Sequence, residues 1–137
     1  MYSDTYRQPD FEKAAEVYRK ARELGAPALT ARKEFYALAR VPSKSREALK
    51  LGKELFKDPR NRVPSLVTNI FVLENRLHVP EKARIPFREL YPTDEIARDM
   101  MTAHLANSLR YPVDGLRETL ESLPEANPDD PAPDGKD

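Results

Sequence analysis

One pattern recurs along this chain at a nearly constant interval. It is a small or apolar residue, others four and seven positions later, and then a proline. Its four occurrences are Ala14, Tyr18 and Ala21 before Pro27; Ala48, Gly52 and Leu55 before Pro59; Ala83, Phe87 and Leu90 before Pro92; and Leu116, Leu120 and Leu123 before Pro124. The first members are 34, 35 and 33 residues apart. Positions i, i+4 and i+7 share one face of a helix. A proline just beyond them marks where that helix stops. Each interval has room for one further helix, so the spacing predicts helix pairs stacked side by side. The same lengths also fit an irregular helical bundle.

The helices are predicted from apolar stripes and stop signals. The first starts after Asp10, with Glu12 in its first turn, and ends at Gly25. The second covers 28–40, and the third runs from Ser43 or Ser45 to about Lys57, where Asp58-Pro59 ends it. The fourth, about 65–77, is the most apolar, with Leu66, Ile70, Leu73 and Leu77 in one stripe widened by Val67, Phe71 and Val72. Such a helix is buried on several sides. It opens the central stretch Pro64 to Pro92. The fifth is expected over 81–91, kinked or shortened by Pro86. The sixth runs from the Thr93 cap to about Arg110, and the seventh follows Pro112. Residues 1–123 therefore read as one helical-repeat domain. Residues 124–137, PEANPDDPAPDGKD, read as a disordered acidic tail.

The four glycines are too few for a turn-dense β fold, and the thirteen prolines belong between helices. No cysteine is present, which excludes disulfides, thiolate metal sites and cysteine nucleophiles. Unbroken apolar runs such as Ile70 to Leu73 are far too short to cross a bilayer, so membrane insertion is not expected. The N-terminus has no apolar signal core. A cytoplasmic or organellar-matrix location, mitochondrial included, fits these features. Net charge is zero, but 124–137 carries five acids against one lysine. Residues 28–62 carry ten bases against four acids. That excess is either a solvated helix face or a docking patch for an acidic partner or a phosphate backbone.

No P-loop, GxGxxG, HExxH or GxSxG motif occurs. His78 and His104 lack ligand-like neighbours, and the inward Glu-x-x-His pairs of helical metal sites are missing. His104 and the Met100-Met101 pair read as packing. Neither an enzyme nor a cofactor or metal site is expected.

Small residue, aromatic, small residue and closing proline at this spacing resemble the tetratricopeptide repeat, over about residues 10–123. The first helix of that repeat would supply large apolar residues 13 and 12 positions earlier. Here those positions hold Phe35 and Tyr36, Ile70 and Phe71, and Ala103 and His104. The second of each pair is usually small in that repeat, so bulk at Tyr36 and Phe71 makes these repeats degenerate. The resemblance implies an all-α, right-handed solenoid of antiparallel helix hairpins, with about seven helices. It implies a protein–protein interaction module, an adaptor or a structural subunit of a larger assembly. The partner would lie in a concave groove lined by Lys33, Ala37, Arg40, Asn69, Val72, Asn75, Met101 and Leu105. Some relatives clamp a partner's terminal carboxylate. Lys33, Asn69 and Arg98 match that scheme, whereas Ala37 and Thr102 do not. The named contact residues are therefore Lys33, Arg40, Asn69, Asn75, Arg98 and Met101. The first helix has no preceding mate, so the stack begins on an open half-unit. That end implies a longer solenoid, a covering lead-in or another subunit.

Pro64-Ser65-Leu66-Val67-Thr68-Asn69 also resembles a repeat boundary of the pentatricopeptide family, which shares the period. That resemblance implies an alternative function as a single-stranded RNA-binding protein, with Glu34, Asn69 and Thr102 at the base-reading positions.

Overall fold

The computed structural model describes residues 10–124. The expectations for residues 1–9 and 125–137 lie outside the described residues. Seven α-helices and no strands are present among those described. They are α1 (Phe11–Glu23), α2 (Ala28–Ala39), α3 (Ser45–Phe56), α4 (Pro64–Arg76), α5 (Phe87–Leu90), α6 (Asp94–Ala106) and α7 (Leu116–Ser122). Short 3-10 turns at Pro42–Lys44, Pro59–Asn61 and Glu81–Ala83 separate some of them.

The local signals act as their chemistry dictates. The Asp10 side chain accepts from the Lys13 amide, and Thr93 accepts from the Ile96 amide. Gly25 takes φ 92°, and the Ala26 amide folds back onto the Ala21 carbonyl to close α1. Helices adjacent in sequence pack together from α1 to α4, and α4 then meets α6, which meets α7. α2 also touches α4 directly.

α4 lies at the centre. Nine consecutive residues, Leu66 to Glu74, are buried. Its polar side chains find partners for some of their atoms, while Asn69 Oδ1 and Glu74 Oε1 are buried with no hydrogen-bond partner among the described residues. Thr68 Oγ1 bonds the Tyr91 hydroxyl at 2.8 Å, and Asn69 Nδ2 donates to the Ser65 carbonyl at 2.8 Å. Glu74 Oε2 accepts from the Ile85 amide at 3.0 Å and lies 3.5 Å from Lys53 Nζ. Burial still raises the Glu74 pKa, with the Ile85 amide and Lys53 opposing the shift.

The fifth predicted helix is not there in full. Glu81–Ala83 forms a 3-10 turn, Arg84 is extended with ψ 157°, and α5 spans only Phe87–Leu90. Pro86 has no amide to bond backwards and biases Ile85 away from helical geometry. Competing partners complete the break. Ile85 gives its amide to Glu74. Arg84 donates to the Val79 carbonyl and to Asn75 Oδ1, each at 2.7 Å. The apolar residues of that segment still dock, since Phe71, Phe87 and Tyr91 form an edge-on aromatic cluster with centroids 5.2–6.1 Å apart. Two other boundaries shift. α6 stops at Ala106 rather than near Arg110, and α7 starts at Leu116, after Gly115 at φ 75°.

α3 approaches its neighbours closely at Gly52. A Cβ there would sit 2.6 Å from the buried Phe35 ring and 3.1 Å from Ile70 Cγ1. Gly52→Ala would gain about 1 kcal/mol of helix propensity. Pushing Phe35 aside costs roughly 1–3 kcal/mol. A lower urea midpoint with an unchanged slope is expected. An equal or higher midpoint would show that α3 does not pack this tightly.

A basic aromatic groove as the candidate functional site

α1 presents Phe11, Ala14 and Tyr18 on one face, at i, i+3 and i+7. α2 presents Lys33, Tyr36, Ala37 and Arg40 at i, i+3, i+4 and i+7. The two faces meet Arg110 and Tyr111 from the α6–α7 connection, and together they line a groove of about 260 Å³. A second cleft of about 250 Å³ shares Phe11, Arg40, Arg110 and Tyr111 and continues past Arg76 and Ser108.

The side chains in this groove are held by one another. The Arg40 guanidinium lies 3.9 Å over the Phe11 ring centre and 5.9 Å from that of Tyr111. Arg110 lies 5.6 Å from the same Tyr111 ring. Tyr111 stacks on His104 at 5.2 Å and stands 6.0 Å from Tyr36. The Tyr36 hydroxyl bonds Ser65 Oγ at 2.7 Å. Burial raises the Tyr36 pKa, with the Ser65 bond acting against it.

Among the described residues, no acid lines either cleft. Arg22, Arg60, Arg88, Lys44 and Lys53 pair with carboxylates elsewhere, and Arg76 of the second cleft pairs with Asp114. Among the described residues, Lys33, Arg40 and Arg110 have no carboxylate within salt-bridge distance. Burial, and then the nearby Arg110 charge, lowers the Arg40 pKa. The groove therefore concentrates positive charge that no carboxylate of the described residues pairs with, on an aromatic floor. An anionic group entering it would gain charge-assisted bonds without displacing an internal partner. A larger cleft of about 460 Å³ on the other side of α1 differs in this respect. Its Glu12 and Glu47 pair with Lys44, and its Glu34 pairs with Arg22 at 2.6 Å.

The structure brings together only part of the predicted contact set. Lys33, Ala37 and Arg40 share the groove. Asn69, Val72 and Met101 are fully buried, because α4 is enclosed by α2, α3 and α6. Asn75 bridges inside the fold, donating to the Asp114 carbonyl at 3.0 Å and accepting from Arg84. Leu105 packs against the core, and Arg98 donates to the Pro124 carbonyl. Of the base-reading positions, Glu34 is buried in its bond to Arg22, Asn69 is enclosed and Thr102 is exposed. The sequence reading missed Phe11, Tyr18, Tyr36, Arg110 and Tyr111 as groove residues. Tyr18 and Tyr36 stand there as repeat positions, and Phe11 only as the first residue after the Asp10 cap. Arg110 was placed in a helix, so its turn towards α2 carried no signal.

Comparison of the chain with protein-family profiles, with curated proteins and with solved structures gave no match. Among the described residues, no helix is long and apolar enough to cross a membrane.

His104 sets the position of the Tyr111 wall. Its Nε2 donates to the Pro112 carbonyl at 2.9 Å, since a carbonyl can only accept. Burial holds its pKa below the usual imidazole value, with the Pro112 bond opposing. Such a group stabilises the fold above its unfolded pKa, about 6.5. That contribution is lost as pH falls through the lower folded pKa. The stability gap between wild type and His104→Gln should therefore narrow from pH 7 to pH 5 in urea titrations. A gap independent of pH would contradict the buried neutral imidazole.

Proposed function

We infer that this chain is a protein–protein interaction module that holds an acidic segment of its partner in the groove between α1, α2 and the α6–α7 connection. The observation that carries this reading is the set of Lys33, Arg40 and Arg110 in an aromatic-lined groove that has no acid among the described residues. Phe11, Tyr18, Tyr36 and Tyr111 offer apolar contact area, while the cations fix orientation and speed encounter.

The architecture is read as a short right-handed solenoid of degenerate tetratricopeptide-like hairpins. Two features support it: the 33–35-residue recurrence, and the direct contacts of α2 with α4 and of α4 with α6. In this reading the middle hairpin, α4 with α5, has lost most of its second helix at Arg84–Pro86 yet keeps its aromatic docking residues. The scaffold role, as adaptor or subunit of an assembly, follows from the absence of a chemical motif in the sequence and from this groove.

A pull-down from native extract, with and without nuclease, tests the reading against RNA binding. Wild-type chain should retain a partner protein after nuclease treatment. The Lys33→Glu/Arg40→Glu double variant should lose it by at least tenfold while keeping its helical circular dichroism. Equal capture by the variant would sink the groove reading. Capture abolished by nuclease would transfer it to nucleic acid.

A further inference from the structure

Two chemical features define the groove, and one segment of this same chain matches both. Residues 125–137 read EANPDDPAPDGKD, with five acids, three prolines and one lysine. The acids complement Lys33, Arg40 and Arg110, which have no carboxylate among the described residues. The prolines fit the aromatic floor, because proline-rich segments favour an extended, low-entropy conformation that docks on aromatic-lined grooves. The point of departure is also fixed: Arg98 of α6 donates to the Pro124 carbonyl.

Reach permits the match. From Arg98 to Arg110 the chain follows α6 and a turn, roughly 18 Å at helical rise. Thirteen residues can extend about 43 Å. A short tether of this kind supplies an effective concentration of millimolar order. A weak contact is then enough to compete with a partner arriving from solution.

We propose that residues 125–137 dock in the Arg40–Arg110 groove as an internal pseudo-ligand, so that an acidic partner must displace them to bind. This rests on the functional reading above, since it uses the same groove. The outward charge of the groove is then low in the resting chain. A change that neutralises Asp129, Asp130 or Asp134, or that recruits the segment elsewhere, raises the affinity of the groove for its partner.

The test uses the full-length chain and a fluorescent hexaglutamate peptide as probe, read by anisotropy at low salt. The comparison is wild type against the full-length variant Glu125→Gln/Asp129→Asn/Asp130→Asn/Asp134→Asn/Asp137→Asn. The variant should bind the probe about tenfold more tightly. The difference should disappear when Arg40→Glu and Arg110→Glu are added. Equal affinity of wild type and variant, lost on reversing the arginines, would overturn the pseudo-ligand and leave the groove reading standing. No binding by either chain would overturn both. If wild type dimerises in sedimentation and the neutralised variant does not, the segment occupies a second copy's groove, and the internal docking proposed here is wrong.

Discussion

Burial of α4 is the constraint from which the rest of the structure follows. A helix enclosed from Leu66 to Glu74 must find partners for Thr68, Asn69 and Glu74 without water. Tyr91 serves Thr68, while Ile85 and Lys53 serve one oxygen of Glu74. Those demands reach into the segment 79–91 and decide its shape. Ile85 cannot both continue a helix and donate to Glu74, and Pro86 removes the alternative. A buried carboxylate and a proline thus convert a predicted helix into a pinned loop.

The same centre fixes the groove. α2 lies between α1 and α4, so one face of α2 is spent on Phe35 and Leu38 in the core. The face at Lys33, Tyr36, Ala37 and Arg40 is left for α1 and the 107–112 turn to flank. Asn75, at the end of α4, holds the Asp114 carbonyl beside Gly115, where a Cβ would come within 2.5 Å of the Asn75 amide nitrogen. This anchors the far end of the connection that carries Arg110 and Tyr111. His104 and Pro112 anchor it nearer the groove. The aromatic floor is thereby positioned by backbone contacts rather than by exposed side chains alone.

Much of the helical order was legible because its signals are local. Asp10, Gly25, Thr93 and the Pro64 start act through their nearest neighbours, and the structure places boundaries within a residue or two of them. Pro86 made a kink or shortening of the fifth helix legible, but not the full break at Arg84–Ile85, which depends on the Ile85 amide turning to Glu74, eleven residues away in sequence. The groove was half legible for a similar reason. The 33–36–37–40 face of α2 could be read from periodicity, whereas its closure by Tyr111 depends on a turn seventy residues later. Asn69 and Met101 show the opposite error. Position in a repeat pattern placed them on an open face, but enclosure of α4 and α6 puts them inside.

The positive charge of the groove is unanswered by the other described residues and is available to carboxylates. The most direct measurement is an amide chemical-shift map of the full-length chain during titration with a short acidic peptide at low and high salt. The expected result is a continuous set of shifts on α1, the Lys33–Arg40 face of α2 and residues 107–112, suppressed at high salt. Shifts confined to other surfaces, or shifts indifferent to salt, would contradict it.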